Sequence, residues 1–143
     1  MKLSKRILIP CLLTIIGFTG CTFEEEAVDI RTYTFTVRRS DWRWNRYSNR
    51  FDYLCNFPEL TGNIYNHGII DAKVYIMEGT TETLKPLPYV QTYLDENYVY
   101  TETISYDVSP GEIMFTVQAS DLSNSDAYLQ TLDFKISLMI DSY

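Results

Sequence analysis

The feature that most restricts the fold is a strict alternation of apolar and other side chains near the end of the chain. The apolar positions are Leu132, Phe134, Ile136, Leu138 and Ile140. A period of two places successive side chains on opposite faces of an extended backbone, whereas a helix needs a period near 3.6. This segment therefore predicts a β-strand with one buried face.

The same period recurs from residue 31 onward, and no sustained helical period interrupts it. Strands are predicted over residues 31–38, 51–57, 70–77, 87–93, 97–108, 113–119 and 132–140. Their turn signals are commonly about eight to twelve residues apart, which is typical of antiparallel sandwiches. We expect an all-β antiparallel sandwich of immunoglobulin-like or Greek-key kind, with about seven strands.

The sequence also predicts the structure of several connections between the strands. Residues 109–112 (Ser-Pro-Gly-Glu) predict a tight turn, because proline presets φ and glycine tolerates a positive φ. Residues 79–84 are predicted as a polar turn. Thr61 is expected to cap a single helical turn through Asn66, with His67 and Gly68 as its stop. Proline at 86 and 88 favours an edge position for the strand at 87–93, because proline cannot donate to a β-ladder.

The first twenty residues predict a cleaved secretory leader. Basic residues (Lys2, Lys5, Arg6) precede an apolar stretch over 7–16, and a cysteine follows the small residue Gly20. The run Phe18-Thr19-Gly20-Cys21 resembles the cleavage region of bacterial lipoprotein precursors. The resemblance implies cleavage before Cys21, with diacylglycerol on its sulfur and an acyl chain on its new amino group.

The predicted organisation is therefore a lipoprotein signal peptide at 1–20, a lipidated acidic tether at 21–30 and a β-sandwich domain at 31–143. The cluster Glu24-Glu25-Glu26 resembles the export tag of surface-exposed lipoproteins of Bacteroidota. The resemblance implies an outer-membrane, lipid-anchored protein at the cell surface. An alternative is a solvated tether extended by its own charge repulsion.

The domain as a whole resembles small Bacteroidota lipoproteins of unknown function. The resemblance rests on Asp41-Trp42, Pro58-Glu59-Leu60-Thr61, Gly68 before Val74-Tyr75, Leu87-Pro88-Tyr89 and Phe134-Lys135-Ile136. It implies a fold and a location, and it implies no activity.

Charge is distributed unevenly. The leader holds three of the twelve basic residues and none of the nineteen acidic ones, so residues 21–143 have a net charge of −10. This balance argues against nucleic acid as a partner. Within thirteen residues, however, five arginines accompany the single acid Asp41, and the five are Arg38, Arg39, Arg43, Arg46 and Arg50.

No catalytic set, metal site or cofactor is predicted. His67 is the only histidine and lies in a predicted turn, and Cys55 alternates with aromatic residues as a buried small residue would. Asp121, Asn124 and Asp126 offer oxygen ligands near one loop, but they lack the calcium-loop pattern with its glycine. No spacing singles out two carboxylates as an acid/base pair.

The segment from Arg38 to Arg50 is the candidate ligand contact, through Trp42, Arg43, Trp44, Arg46 and Tyr47. Two tryptophans at i and i+2 share one face of an extended chain, where they suit a sugar ring or a partner's side chain. The arginines suit carboxylate or sulfate groups. Alternatively, the tryptophans close one end of the sandwich, or one is buried and one exposed.

These features lead us to expect a non-enzymatic, lipid-anchored binding or accessory module of the cell envelope, held by its membrane anchor. Its ligand would be a glycan or an envelope protein. The alternative is a structural subunit that assembles through unpaired edge strands.

Overall fold

The computed structural model describes residues 28–95, 98–124 and 129–141. Its strands are β1 (Val28–Val37), β2 (Arg43–Asn45), β3 (Arg50–Asn56), β4 (Ile69–Glu78), β5 (Thr81–Pro86), β6 (Tyr89–Asp95), β7 (Tyr98–Ser109), β8 (Glu112–Ala119) and β9 (Leu132–Asp141). A 3-10 turn spans Arg39–Asp41, and one helix, α1, spans Gly62–His67. The leader, Cys21 and the acidic cluster at 24–26 lie outside the described residues.

The described strands form two antiparallel sheets. One has the order β1-β9-β4-β5 and the other the order β2-β3-β8-β7-β6. The alternation that predicted β9 is confirmed, because Leu132, Phe134, Ile136 and Leu138 are buried while Ile140 is half-buried. The all-β antiparallel sandwich is therefore the fold.

Aromatic side chains join the two sheets. Phe115 of β8 and Phe134 of β9 are fully buried and stack with ring centroids 4.0 Å apart. Phe35 of β1 contacts Phe115 at 5.9 Å and the edge of Phe57 at 5.1 Å. Contacts of this kind add to the free energy gained by burying the rings.

The described residues form nine strands, two more than the predicted number of about seven. Residues 81–84, predicted as part of a turn at 79–84, belong to β5, which pairs with β4 from Lys73 to Glu78. Only Gly79 and Thr80 connect the two strands, and Gly79 has the positive φ of 65° that a tight hairpin needs. Strand β2, within the arginine-rich segment, is the other addition.

The helical turn is confirmed. Thr61 caps α1 by accepting a hydrogen bond at its side-chain oxygen from Ile64 N at 3.3 Å. Gly68 follows the helix because a Cβ there would lie 2.8 Å from both Ile64 O and Met139 O. The helix thus packs closely on β9.

The two ends of the sandwich are distinguished by β1. It begins at Val28 opposite Asp141, three residues inside the predicted tether, and ends at Val37 opposite Leu132. We call these the entry end and the distal end. Ten residues of strand separate them by about 30 Å. The arginine-rich segment directly follows Val37 and therefore lies at the distal end.

Candidate functional site

The two tryptophans of the candidate contact occupy different environments. Trp42 is 5% exposed, its Nε1 donates to Gln130 O at 3.2 Å, and its ring meets Phe134 edge-on at 6.5 Å. Trp44 is half-buried and packs against Phe51 at 5.0 Å. Trp42 therefore belongs to the core and its ring is not a contact surface, whereas Trp44 is only partly exposed, so the pair lies between the buried alternative and the one with one tryptophan exposed.

The other four predicted contact residues are brought together. Arg43, Trp44, Arg46 and Tyr47 line one open depression of about 320 Å³. Asn45 and Asp52 complete it, and the sequence analysis identified neither. Tyr47 is 93% exposed, so its ring is presented to solvent. We call this surface the arginine–aromatic depression.

The turn that carries Arg46 and Tyr47 is held by side-chain hydrogen bonds. Asn45 Oδ1 accepts from Tyr47 N at 3.0 Å and from Ser48 N at 3.4 Å, as in an Asx turn. Gln118 Nε2, from β8, donates to Ser48 O and Asn49 O at 3.0 and 3.2 Å. Because the turn is held from both sides, a ligand would have less of it to order on binding.

Asp52, the acidic residue that lines the depression, accepts hydrogen bonds from two neighbouring side chains of the protein. Asp52 Oδ1 accepts from Arg50 Nε and Asp52 Oδ2 accepts from Asn45 Nδ2, each at 2.7 Å. Arg50 Nη2 also bonds Asp107 at 2.8 Å. Arg50, predicted only as part of a positive cluster, is therefore tied to carboxylates of β3 and β7.

Arg43 occupies a fixed position. Its Nη1 donates to Ser40 O at 2.7 Å and to Trp42 O at 3.1 Å, although the residue is exposed. Arg43 and Asp52 also line a second open depression of about 500 Å³. The further lining residues of that depression are Asp41, Tyr53, Leu54 and Met114.

The two nucleophile or ligand candidates lie elsewhere. His67 is exposed at the end of α1, toward the entry end. Cys55 is half-buried on β3, and burial raises the pKa of its thiol, with the Glu59 carboxylate raising it further. A raised pKa disfavours the thiolate, which is the reactive form.

One buried acid was missed by the sequence analysis. Glu102 of β7 is 1% exposed, and burial raises its pKa to about 7. Its register partner on β6 is Gln91. Neither Glu102 Oε2 nor Gln91 Oε1 has a hydrogen-bond partner in the part of the chain that the structure describes. The sequence contains one indication of this burial. Glu102 lies two residues before Ile104, so the alternation of the strand places both side chains on the same inward face.

Within residues 28–95, 98–124 and 129–141, no three His, Cys, Asp or Glu side chains are grouped to hold a metal ion. Asp121 accepts a hydrogen bond from Ser123 N at 3.0 Å, while Asp126 lies outside the described residues. In the same ranges, no helix combines the length and the apolar character needed to span a membrane.

The edge strand β6 is the part of the structure relevant to the hypothesis that the protein assembles through unpaired edge strands. It lies at one edge of the five-stranded sheet, as predicted for residues 87–93. Val90 and Leu94 are 55% and 75% exposed, and Val99, the register partner of Leu94, is also exposed. Residues 89–94 contain no charged side chain, and charge is a common protection of sheet edges.

No protein-family model matches the chain, and no curated protein or solved structure matches it either. Proposals about its function therefore rest on its own residues and their geometry.

Proposed function

We propose that the protein is a non-enzymatic binding module of the bacterial cell surface, anchored through lipid on Cys21, with the arginine–aromatic depression as its contact surface. One observation carries the proposal: Arg43, Trp44, Arg46 and Tyr47 line a single open depression at the distal end. Arginine and aromatic side chains are enriched where proteins bind partners.

The position of the depression fits the anchor. From Cys21 to Val28 the chain can extend at most about 25 Å. The entry end would then lie near the membrane, and the depression would lie about 30 Å further out. A ligand approaching from outside the cell would meet the depression first.

The remaining chemistry supports binding rather than catalysis. The single histidine is exposed near the entry end, away from the depression, and the thiol of Cys55 has a raised pKa. The carboxylate in the depression, Asp52, is occupied by Arg50 and Asn45 and is thus poorly suited to proton transfer.

Assembly through β6 is a second candidate, favoured by the exposed side chains of Val90 and Leu94 in the part of this edge strand, residues 89–94, that has no charged side chain. Light scattering on the purified protein separates the candidates. A binding module stays monomeric, whereas an assembly subunit gains mass with concentration and loses that gain in Leu94→Lys.

The lipid anchor is tested by replacing Cys21, the residue proposed to carry the lipid. The Cys21→Ala variant is expected to lose its lipid label and to leave the membrane fraction, because the sulfur that carries the diacylglycerol is absent. Cys55→Ala is the matched control and should stay labelled and membrane-bound. A Cys21→Ala protein that keeps both label and membrane association would contradict the anchoring.

The contact surface is tested by crosslinking on intact cells. A benzophenone side chain placed at position 47 is expected to capture a glycan or an envelope protein. The same group at position 65 is the control, because Tyr65 is also exposed, at 44%, but lies on α1 near the entry end. Adduct formation at position 47 should fall in an Arg46→Ala background. Equal capture at both positions, or capture only at 65, would contradict the proposal.

A further inference from the structure

The two depressions at the distal end adjoin one another. Arg43 and Asp52, register partners on β2 and β3, line both of them. We call the two adjoining depressions together the trough; Trp44 and Tyr47 line the first, and Tyr53, Leu54 and Met114 line the second. Two adjoining depressions that share Arg43 and Asp52 suit an extended ligand better than a single small molecule.

The acids of this trough already have donors. Both oxygens of Asp52 accept hydrogen bonds from Arg50 and Asn45. Asp41 Oδ2 accepts from Arg38 N at 3.1 Å, and Asp41 Oδ1 accepts from Ser40 Oγ at 3.4 Å. Arg50 offsets the charge of Asp52, so Asp52 opposes an anionic ligand less than a solvated carboxylate would, whereas the donors to Asp41 are neutral and satisfy only its hydrogen bonds.

The cations of the trough face solvent. Arg43 is exposed, and the contacts of its Nη1 with Ser40 O and Trp42 O fix the guanidinium in place. Arg46 is exposed on the turn that Asn45 and Gln118 hold. A planar guanidinium in a fixed position is well suited to bind carboxylate or sulfate through two hydrogen bonds.

We propose that the trough binds an oligosaccharide that carries carboxylate or sulfate groups. An acidic group of the ligand lies on the guanidinium of Arg43, and neighbouring sugar rings lie against Tyr47 and the exposed part of Trp44. The proposal rests on the proposed function and names the class of ligand for the same surface.

The lining of the arginine–aromatic depression favours a sugar over an acidic peptide. All six of its lining residues are aromatic, charged or amide-bearing, and none is aliphatic. Peptides are commonly anchored by apolar side chains that enter apolar pockets. Sugar rings instead present C–H faces that lie on aromatic rings and hydroxyl groups that bond polar side chains.

The experiment is titration calorimetry of the protein, at about 0.15 M salt, with matched pairs of oligosaccharides. Each pair has one backbone: a uronic-acid oligomer with its methyl ester, and a sulfated oligomer with its desulfated form. At least one acidic member is expected to bind about tenfold or more tightly than its neutral counterpart. Arg43→Gln should abolish the difference in affinity between the acidic and neutral members. Arg43→Lys should retain part of it, because lysine keeps the positive charge but lacks the paired N–H donors of the guanidinium.

Arg31→Gln is the matched control, because Arg31 is an exposed arginine near the entry end and should leave binding unchanged. Thermal unfolding checks that every variant is folded. Neutral oligosaccharides that bind as tightly as acidic ones would overturn this inference and leave the proposed function standing. Polyglutamate that binds as tightly as the acidic sugar would also overturn it. If no oligosaccharide binds, the inference fails, and adducts at position 47 decide the proposed function separately.

Discussion

Replacing Phe134 with alanine is expected to lower the free energy of unfolding by about 3–5 kcal/mol. The ring is fully buried, stacks on Phe115 of the opposite sheet at 4.0 Å and meets the edge of Trp42 at 6.5 Å. Its removal leaves a cavity where the two sheets meet, and the surrounding rings can relax only in part. Chemical denaturation followed by circular dichroism measures the loss.

Met77→Ala is the control for this substitution. Met77 lies on β4, in the same sheet as Phe134, but it is 61% exposed. Its truncation should change stability by less than about 0.5 kcal/mol. A loss below about 1 kcal/mol in Phe134→Ala would contradict the place of this ring at the centre of the core.

The unfolding free energy is expected to fall by about 2–3 kcal/mol between pH 5 and pH 8 through Glu102 alone. Burial raises the pKa of Glu102 to about 7 in the folded chain, against an ordinary value of 4.5. Between these values the folded state holds a proton that the unfolded state has released. Stability from this group is therefore complete below pH 4.5 and is lost as pH rises toward and through 7.

Glu102→Gln removes the titration and keeps the shape. Its amide can also donate to Gln91 Oε1, the buried acceptor on the paired residue. The variant is expected to be more stable than wild type at pH 8, with the advantage shrinking toward pH 5. Glu112→Gln, an exposed glutamate on β8, should show no such trend. A stability difference between Glu102→Gln and wild type that does not vary with pH would contradict the burial of a titrating carboxyl.

The described groups near Glu102 include the phenol of Tyr93. Tyr93 of β6 faces it, and burial, followed by the charge of Glu102, raises the pKa of that phenol to about 12. Tyr100 stacks on Tyr93 with centroids 5.1 Å apart. The phenol of Tyr93 therefore does not ionise near pH 7, so the pH dependence expected there is that of the carboxyl.

The sequence predicted the strands whose buried faces it marks with apolar residues. In β8, Ile113, Phe115, Val117 and Ala119 are all buried, as the alternation indicates. Strand β5 was missed because its residues are mostly polar, and its pairing with β4 depends on the two-residue connection at Gly79. The pattern of residues within one segment cannot show that the segment pairs with a neighbouring strand.

The candidate site was predictable in part. The arginines and aromatics of one segment are visible in the sequence, and four of the five predicted residues line one depression. How deeply each tryptophan is buried was not predictable. The burial of Trp42 depends on contacts with Gln130 and Phe134, which lie about ninety residues away in the sequence. The contact of Asp52 with Asn45 was hidden too, because it forms only when β2 and β3 pair, whereas Arg50 lies two residues from Asp52 on the same strand and shares its face.

The depression at Trp44 is expected to be a positive, open surface on an otherwise acidic protein. The chain has two tryptophans, so Trp42→Phe leaves Trp44 as the only indole, and Trp44→Phe leaves the buried Trp42. The most direct measurement is collisional quenching of tryptophan fluorescence by iodide and by caesium at equal, low ionic strength. Long-range charge alone would favour caesium, because residues 21–143 have a net charge of −10.

The local arginines reverse that preference for Trp44. In Trp42→Phe, the quenching constant of iodide is expected to be at least about twice that of caesium when each is divided by its constant for free N-acetyltryptophanamide, because Arg43 and Arg46 line the depression beside the indole. In Trp44→Phe, both ions should quench weakly, because Trp42 is 5% exposed. Equal quenching of Trp44 by the two ions, or stronger quenching by caesium, would contradict a positive binding surface at the distal end.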